Sequence, residues 1–294
     1  MTRNTSQPTI LFYGTEAFGA AMLATLFECD DWTIIGAVTQ PDRPAGRHGL
    51  LHESPVKQFA QLHNISIFQP ETLKNITLLQ KTETDNELPC ADIQIVCQYG
   101  LIIPKRIVEA PRFGTLNVHT SLLPAYRGAS PIQTAILNGE TQTGVTIMCM
   151  DEKMDHGPLL SQEKISITPD DTTPSLSASM IPVAQKLLIT NTRAWLAGAI
   201  TAQEQNHTQA TFCRQFEKKD GLIDFTLSGK DIYNRFRAFT PWPGTYALWH
   251  GQTIKFHKLI PAIEHSSFSP GTILVENNRI FLGLFQWRFY LKDK

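Results

Sequence analysis

The 294-residue sequence has little of what announces most chemistries. Its five cysteines (Cys29, Cys90, Cys97, Cys149, Cys213) are scattered, odd in number and never spaced as CxxC. That excludes a disulfide framework and points to reduced, mostly buried thiols in a cytosol. No apolar run reaches the ~20 residues that span a bilayer. The polar lead before Thr9 lacks the apolar stretch and cleavage site of a secretory signal, so a cytoplasmic location without membrane association is expected. The first candidate turn, Gly14 to Gly19, reads GTEAFG and not GxGxxG, so a dinucleotide is not expected. No GxSxG marks a strained nucleophile. His48 and His52 are four apart with Glu53 adjacent, but Gly49 interrupts the spacing and no third ligand follows, so no metal is expected.

What is present is a globular composition: 42% hydrophobic residues, 18% charged, and enough chain for two domains. Thr9–Tyr13 is a strand candidate, and residues 16–27 repeat apolar side chains at helical spacing (Phe18, Met22, Leu26). Strand, turn and helix in that order open a doubly wound α/β fold. Further strands are expected at Trp32–Thr39, Ile65–Phe68 and Ala91–Cys97. Helices are expected at Ser54–His63, Thr72–Lys81 and Ala129–Leu137, and a long one capped by the polar Asp170–Thr173 and running to about Leu196. Gln40–His52 reads as a Pro-, Gly- and Arg-rich loop. Gly198–Gln209 is polar and poor in apolar anchors, as a linker would be. From Thr211 onward, short β-like runs follow one helix candidate, Lys230–Phe239, which suggests a small β-barrel. The expected division is 1–197, a linker at 198–210, and 211–294.

Net charge is only −1, but it is unevenly spread. Residues 1–206 hold 14 Lys and Arg against 20 Asp and Glu, a net of −6. Residues 207–294 hold 12 against 7, a net of +5, which hints at a polyanion partner for the second part.

The densest segment runs from Gly114 to Gly157. An apolar run ends in Asn117 and His119, two apart and so on one face of a strand. Asp155 follows the next apolar run, in a loop. An amide can donate to a developing oxyanion, an imidazole can move a proton near neutral pH, and a carboxylate can orient the imidazole. Without an enzyme nucleophile, direct attack of a substrate amine or water on a carbonyl is the natural chemistry. On spacing alone, a structural histidine with two loop-stabilising side chains is the favoured reading of the same residues.

NVHTSLLPAYRGASPI with GVTIMCMDEKMDHGP resembles the folate-dependent formyltransferases. TQPDRPAGR at Thr39–Arg47, FTPWPGTY at Phe239–Tyr246 and VCQYGLIIPKRI are similar to the methionyl-tRNA branch of that family. The resemblance implies a Rossmann-like, mostly parallel α/β catalytic domain followed by an OB-like barrel that binds tRNA. It implies formyl transfer from 10-formyltetrahydrofolate to methionyl-initiator tRNA by a monomer, for translation initiation. It assigns Asn117 to the oxyanion, His119 to proton transfer and Asp155 to tuning the histidine. It assigns Ser121, Leu122, Leu123 and Pro124, with Tyr99, Gly100, Leu101 and Ile102, to the folate. Arg43, Arg47 and Arg127 are expected at the substrate. After Arg47 the loop reads His48-Gly49-Leu50-Leu51, where the family usually carries lysines. Related enzymes acting on glycinamide ribonucleotide or an amino-sugar nucleotide share the Asn-His-Asp logic. They leave the TQPDRPAGR loop and the basic second part without a role. An inactive RNA-binding protein would have no use for the three residues.

Overall fold

The computed structural model describes residues 7–45, 50–79, 87–262, 273–276, 279–284 and 287–291. The chain forms two compact units that are not consecutive in sequence. The first combines residues 1–127, 144–164 and 179–212, and the second 128–143, 165–178 and 213–294.

The first unit is built on a seven-stranded sheet. Its strands are β1 (Thr9–Gly14), β2 (Thr33–Val38), β3 (Ile67–Phe68), β4 (Ile93–Cys97), β5 (Thr115–His119), β6 (Gln142–Cys149) and β7 (Leu159–Ser166), in spatial order β7-β6-β5-β4-β1-β2-β3. The pairs β1–β2, β1–β4, β2–β3 and β4–β5 are parallel, and β5–β6 is antiparallel. Every residue of β4 and β5 is buried, the mark of strands covered on both faces. The order steps outward from β1 in both directions. The carboxyl ends of the parallel strands therefore release Gly14, Cys97 and His119 at one edge, where open α/β sheets bind ligands.

Helix α1 (Ala17–Phe27) buries Phe18, Met22 and Leu26, as their spacing predicts. Helix α2 (Pro55–Leu62) starts as expected, with Pro55 at its first turn and the Ser54 hydroxyl accepting from Lys57 N at 3.1 Å. The sequence-based helix over Thr72–Lys81 does not form among the described residues of that segment, which end at Leu79. Thr77–Leu79 is instead a short strand parallel to Glu87–Pro89. The Arg106 guanidinium donates to the carbonyls of Leu73, Lys74 and Ile76, taking acceptors that a helix would have used itself. Leu73 and Ile76 are meanwhile drawn into the core beside Leu11, Val38 and Leu88. The expected loop at Gln40–His52 contains a small antiparallel hairpin, Arg43–Ala45 with Leu50–His52. The polar stretch Gly198–Gln209 is tied down: Leu159 and Gln203 exchange two backbone bonds, at 2.7 and 2.8 Å.

In the second unit, α3 (Pro131–Leu137) and α4 (Gly229–Phe239) belong together with a core of Ile223, Ile232, Phe236, Ala247, Phe256 and Leu259. Ser228 caps α4, accepting from Asp231 N at 3.1 Å. The strands Thr245–Trp249 and Gln252–Phe256 form one hairpin. Ile260–Ala262, Ile273–Glu276, Arg279–Leu284 and Trp287–Leu291 form a separate four-stranded sheet. The described helices include none long and apolar enough to cross a membrane.

Candidate active site

Asn117 and His119 are the third and last residues of β5 and point to one side of it. Across the ladder they face Met148 and Thr146 of β6. They are 9% and 6% exposed, so both polar side chains need partners. Because β6 runs antiparallel, its own carboxyl end lies beside the start of β5, and the loop that follows must double back to reach His119. Cys149 N donates to Pro158 C=O at 2.8 Å, which closes that return. Gly157 permits it: a Cβ there would lie 2.0 Å from the Cys149 carbonyl oxygen. Asp155 sits in the left-handed region (φ 48°), which aspartate tolerates better than most residues.

The result is a converged trio. Asn117 Nδ2 donates to Asp155 Oδ1 at 3.3 Å, and His119 Nδ1 lies 3.7 Å from the same oxygen. His119 Nε2 is 3.0 Å from the Tyr126 carbonyl. A carbonyl can only accept, so the neutral ring carries its proton on Nε2 and presents Nδ1 on the Asp155 side. No thiol competes as nucleophile here: burial pushes Cys149 up to about 11 and Cys97 still higher, so both stay protonated near neutral pH.

The segment after His119 is locked from inside. Ser121 Oγ donates to Ala125 C=O at 2.6 Å. Thr146 Oγ1 donates to Ser121 C=O at 2.6 Å and accepts from Leu123 N at 3.3 Å. Gln162 Nε2 donates to Leu123 C=O at 2.8 Å. Ser121 and Leu123 are buried, Leu122 and Pro124 half-buried, and the Leu123–Pro124 peptide is cis.

At the end of β4, Gln98 (φ 50°) and Gly100 (φ 84°) turn the chain sharply. Tyr99 is 2% exposed, edge-on to Tyr13, and burial raises its phenol above the ordinary range. Its carbonyl accepts from Thr15 Oγ1 and Gln40 Nε2. Leu101 is half-buried, whereas Ile102 is 86% exposed. Arg43 is exposed at the start of the hairpin, and no hydrogen bond among the described residues ties it to the trio. Its neighbour Asp42 is paired with Lys57 and accepts from Gln69 Nε2 at 2.8 Å, which together hold its carboxyl below the usual carboxylate range. Arg47 lies outside the described residues. Arg127 is 4% exposed, and its guanidinium serves Gln205 and His207 inside the unit.

Residues 9–192 match the formyl transferase family, and residues 215–283 match the C-terminal domain of formyl transferases. The chain belongs to the formyl transferase family. Curated relatives include the methionyl-tRNA formyltransferase of Chloroflexus aurantiacus, 39% identical over 265 residues, covering 90% of this chain and 84% of the relative. The methionyl-tRNA formyltransferase of Marinobacter nauticus is 40% identical over 267 residues, with 90% and 84% covered. Among solved structures, the sugar 3N-formyl transferase WlaRD, crystallised with dTDP and 5-N-formyl-THF, superposes with a TM-score of 0.70 at 20% identity, covering 98% of each chain. An N-formyltransferase from Helicobacter canadensis, in complex with folinic acid and dTDP-3-aminofucose, gives 0.69 at 18%, covering 97% of this chain and 99% of its own. At that identity the likeness is one of fold.

Three contributors escaped the reading of the sequence. Gly157 is one of many glycines and shows its role only through its approach to Cys149. Thr146 lies in an apolar run that reads simply as strand. Gln205 stands in a polar stretch that resembles a linker, and nothing in its neighbours marks it as buried.

Proposed function

We propose that the protein transfers the formyl group of 10-formyltetrahydrofolate to the α-amino group of methionyl-initiator tRNA, giving N-formylmethionyl-tRNA. The observation that carries the reading is the convergence of Asn117, His119 and Asp155 at the carboxyl edge of a parallel sheet. Its setting is a chain 38–40% identical to methionyl-tRNA formyltransferases over nine-tenths of its length.

The residues suit the donor. A pterin ring needs apolar contact and fixed backbone polar groups. Exposed Ile102 and half-buried Leu101 follow a turn so tight that a Cβ on Gly100 would lie 2.3 Å from Gln40 Nε2. Tyr99, through its backbone, together with Gly100, Leu101, Ile102 and the locked segment Ser121–Pro124, would hold the folate. The donor supplies the formyl carbonyl carbon that the amine attacks.

The chain's own residues do the rest. The acceptor is an α-amine whose reference pKa of ~7.7–8.0 leaves part of it neutral, so no stronger nucleophile is required. Asn117 Nδ2 makes a long bond to Asp155, at 3.3 Å, and a developing oxyanion is a better acceptor for it. Such a donor contributes about 3–4 kcal/mol. His119 Nδ1 takes the proton the amine loses as the new C–N bond forms, and would return it to N10 of the folate as the bond from N10 to the formyl carbon breaks. Asp155, 3.7 Å from that nitrogen, stabilises the ring once it is charged. Holding both partners in register contributes about 7–11 kcal/mol more.

Arg43 and Arg47 would meet the acceptor end of the tRNA. We assign catalysis to residues 1–197 and tRNA binding to 211–294, joined by 198–210. We read the C-terminal sheets as parts of an OB-like barrel whose surplus Lys and Arg face phosphate. The protein would act as a monomer in the cytoplasm.

The test is formyl transfer from 10-formyltetrahydrofolate to methionyl-initiator tRNA, run beside an amino-sugar nucleotide. Turnover confined to the tRNA supports the reading. Turnover confined to the sugar nucleotide overturns it. Absent turnover with retained tRNA binding would favour a non-enzymatic role.

A further inference from the structure

We propose that Gln205 and Arg127 are positioning residues for this chemistry, holding the Asp155 carboxylate and the His119 ring in one fixed relation. The proposal rests on reading His119 as the proton acceptor. Gln205 is 5% exposed and sits inside the first unit. Its Nε2 donates to two carbonyls of the returning loop, Asp155 O at 3.0 Å and Gly157 O at 2.7 Å. Both amide hydrogens are thus committed on either side of His156. Its Oε1 accepts from Arg127 through Nε at 3.2 Å and Nη2 at 2.6 Å. This pattern has one solution. Turning the amide over would set an oxygen against two carbonyls and an NH2 against a guanidinium, which has no acceptor.

Arg127 is where the two halves of the site meet. On one side it fixes Gln205, and through it the Asp155 loop. On the other, its backbone directly follows Tyr126, whose carbonyl receives His119 Nε2. Residues 126 and 127 are in turn held by Thr211, whose Oγ1 accepts from Tyr126 N at 2.8 Å and whose carbonyl accepts from Arg127 N at 2.9 Å. The guanidinium also meets His207 Nδ1 at 2.9 Å. The His207 ring stacks on His156 (centroids 4.0 Å, planes 4° apart), and His156 Nδ1 lies 2.7 Å from Asp151 Oδ2. The loop is therefore gripped at Asp151 as well as at residues 155 and 157. Asp155 is the carboxylate facing His119 across this arrangement, with neutral Asn117 beside it.

The test compares Gln205→Met, Gln205→Glu and His207→Ala with the wild type. Each is read by thermal midpoint, by kcat and KM for both substrates, and by the NMR titration of the His119 ring without substrate. Gln205→Met removes the donors. It should lower kcat about a hundred-fold with both KM values little changed, and move the His119 midpoint down as Asp155 drifts away. Gln205→Glu keeps an acceptor for Arg127 but has no N–H to give, so it should not rescue. His207→Ala, at a half-exposed position, should shift both readouts in the same direction by less.

Rescue by Gln205→Glu would reduce Gln205 to a mere partner for Arg127 and overturn the proposal. So would normal kcat with an unmoved His119 midpoint in folded Gln205→Met. If that variant does not fold, unchanged kcat and midpoint in His207→Ala has the same consequence. Failure of the wild type to formylate methionyl-tRNA would instead sink the functional reading, while the His119 titration, which needs no substrate, still decides this one.

Discussion

Residues 119–127 and the hairpin within residues 40–52 leave the same edge of one parallel sheet, and they end in opposite states. In the first, Ser121, Thr146 and Gln162 tie the backbone inward, Tyr126 orients the histidine, and Arg127 is buried. In the second, the base is anchored through Asp42 to Lys57 and Gln69, and beyond it the described Arg43 and Pro44 face solvent. The difference matches two tasks. A group that moves a proton must be held to a fraction of an ångström, because small displacements cost large factors in rate. A group that meets a large polyanion gains little from such confinement. It needs charge, reach and a firm root.

That contrast can be broken at several points. The largest effect is expected at the locked end: His119→Ala should lower kcat by about 10²–10⁴-fold with the thermal midpoint nearly unchanged. Unaltered turnover would remove the ring from the chemistry. Gly157→Ala comes next. Its Cβ cannot coexist with the Cys149 carbonyl, so the loop must shift. Overpacking of this kind costs about 1–3 kcal/mol, and kcat should fall along with the thermal midpoint. A variant with wild-type values of both would show that the return of the loop is not tightly specified.

At the open end, Arg43→Ala should raise KM for tRNA about ten-fold, roughly 1.4 kcal/mol, and leave KM for the formyl donor alone. An equal loss for both substrates would mean that Arg43 belongs to the locked region after all. The smallest effect is expected at the root. Lys57 first, then Gln69, depresses Asp42 in the folded state, so this pairing stabilises fully above the ordinary carboxylate value of ~3.9 and is lost as pH falls below it through the depressed folded value. Asp42→Asn should therefore melt below the wild type at pH 7, with the gap narrowing only once pH drops below the ordinary carboxylate value. A gap that stays constant with pH would assign the effect to something other than the ion pair.

Much of the first unit is legible along the chain because its signals are local. Ser54 and Pro55 start α2 as their chemistry dictates. The apolar spacing of Phe18, Met22 and Leu26 is the buried stripe of α1. Asn117 and His119 share a face because they are two apart in a strand. The failure at residues 72–81 is equally instructive. Helical periodicity is present there, but Arg106, thirty residues away, claims the carbonyls. No window of local sequence contains that competition.

The chain alone therefore determines which groups could react, an amide and an imidazole at the end of a strand and a carboxylate in the loop after the next strand. Alternation of side chains and the apolar runs around them settle that much, since both are properties of neighbours in sequence. Whether the carboxylate meets the imidazole is decided only in three dimensions. Asp155 must travel back along an antiparallel strand, and what brings it there is a glycine against a carbonyl and a glutamine fifty positions away. Hydrogen bonds of that kind are directional and long in sequence separation, so they exist only once the sheet has brought their ends together.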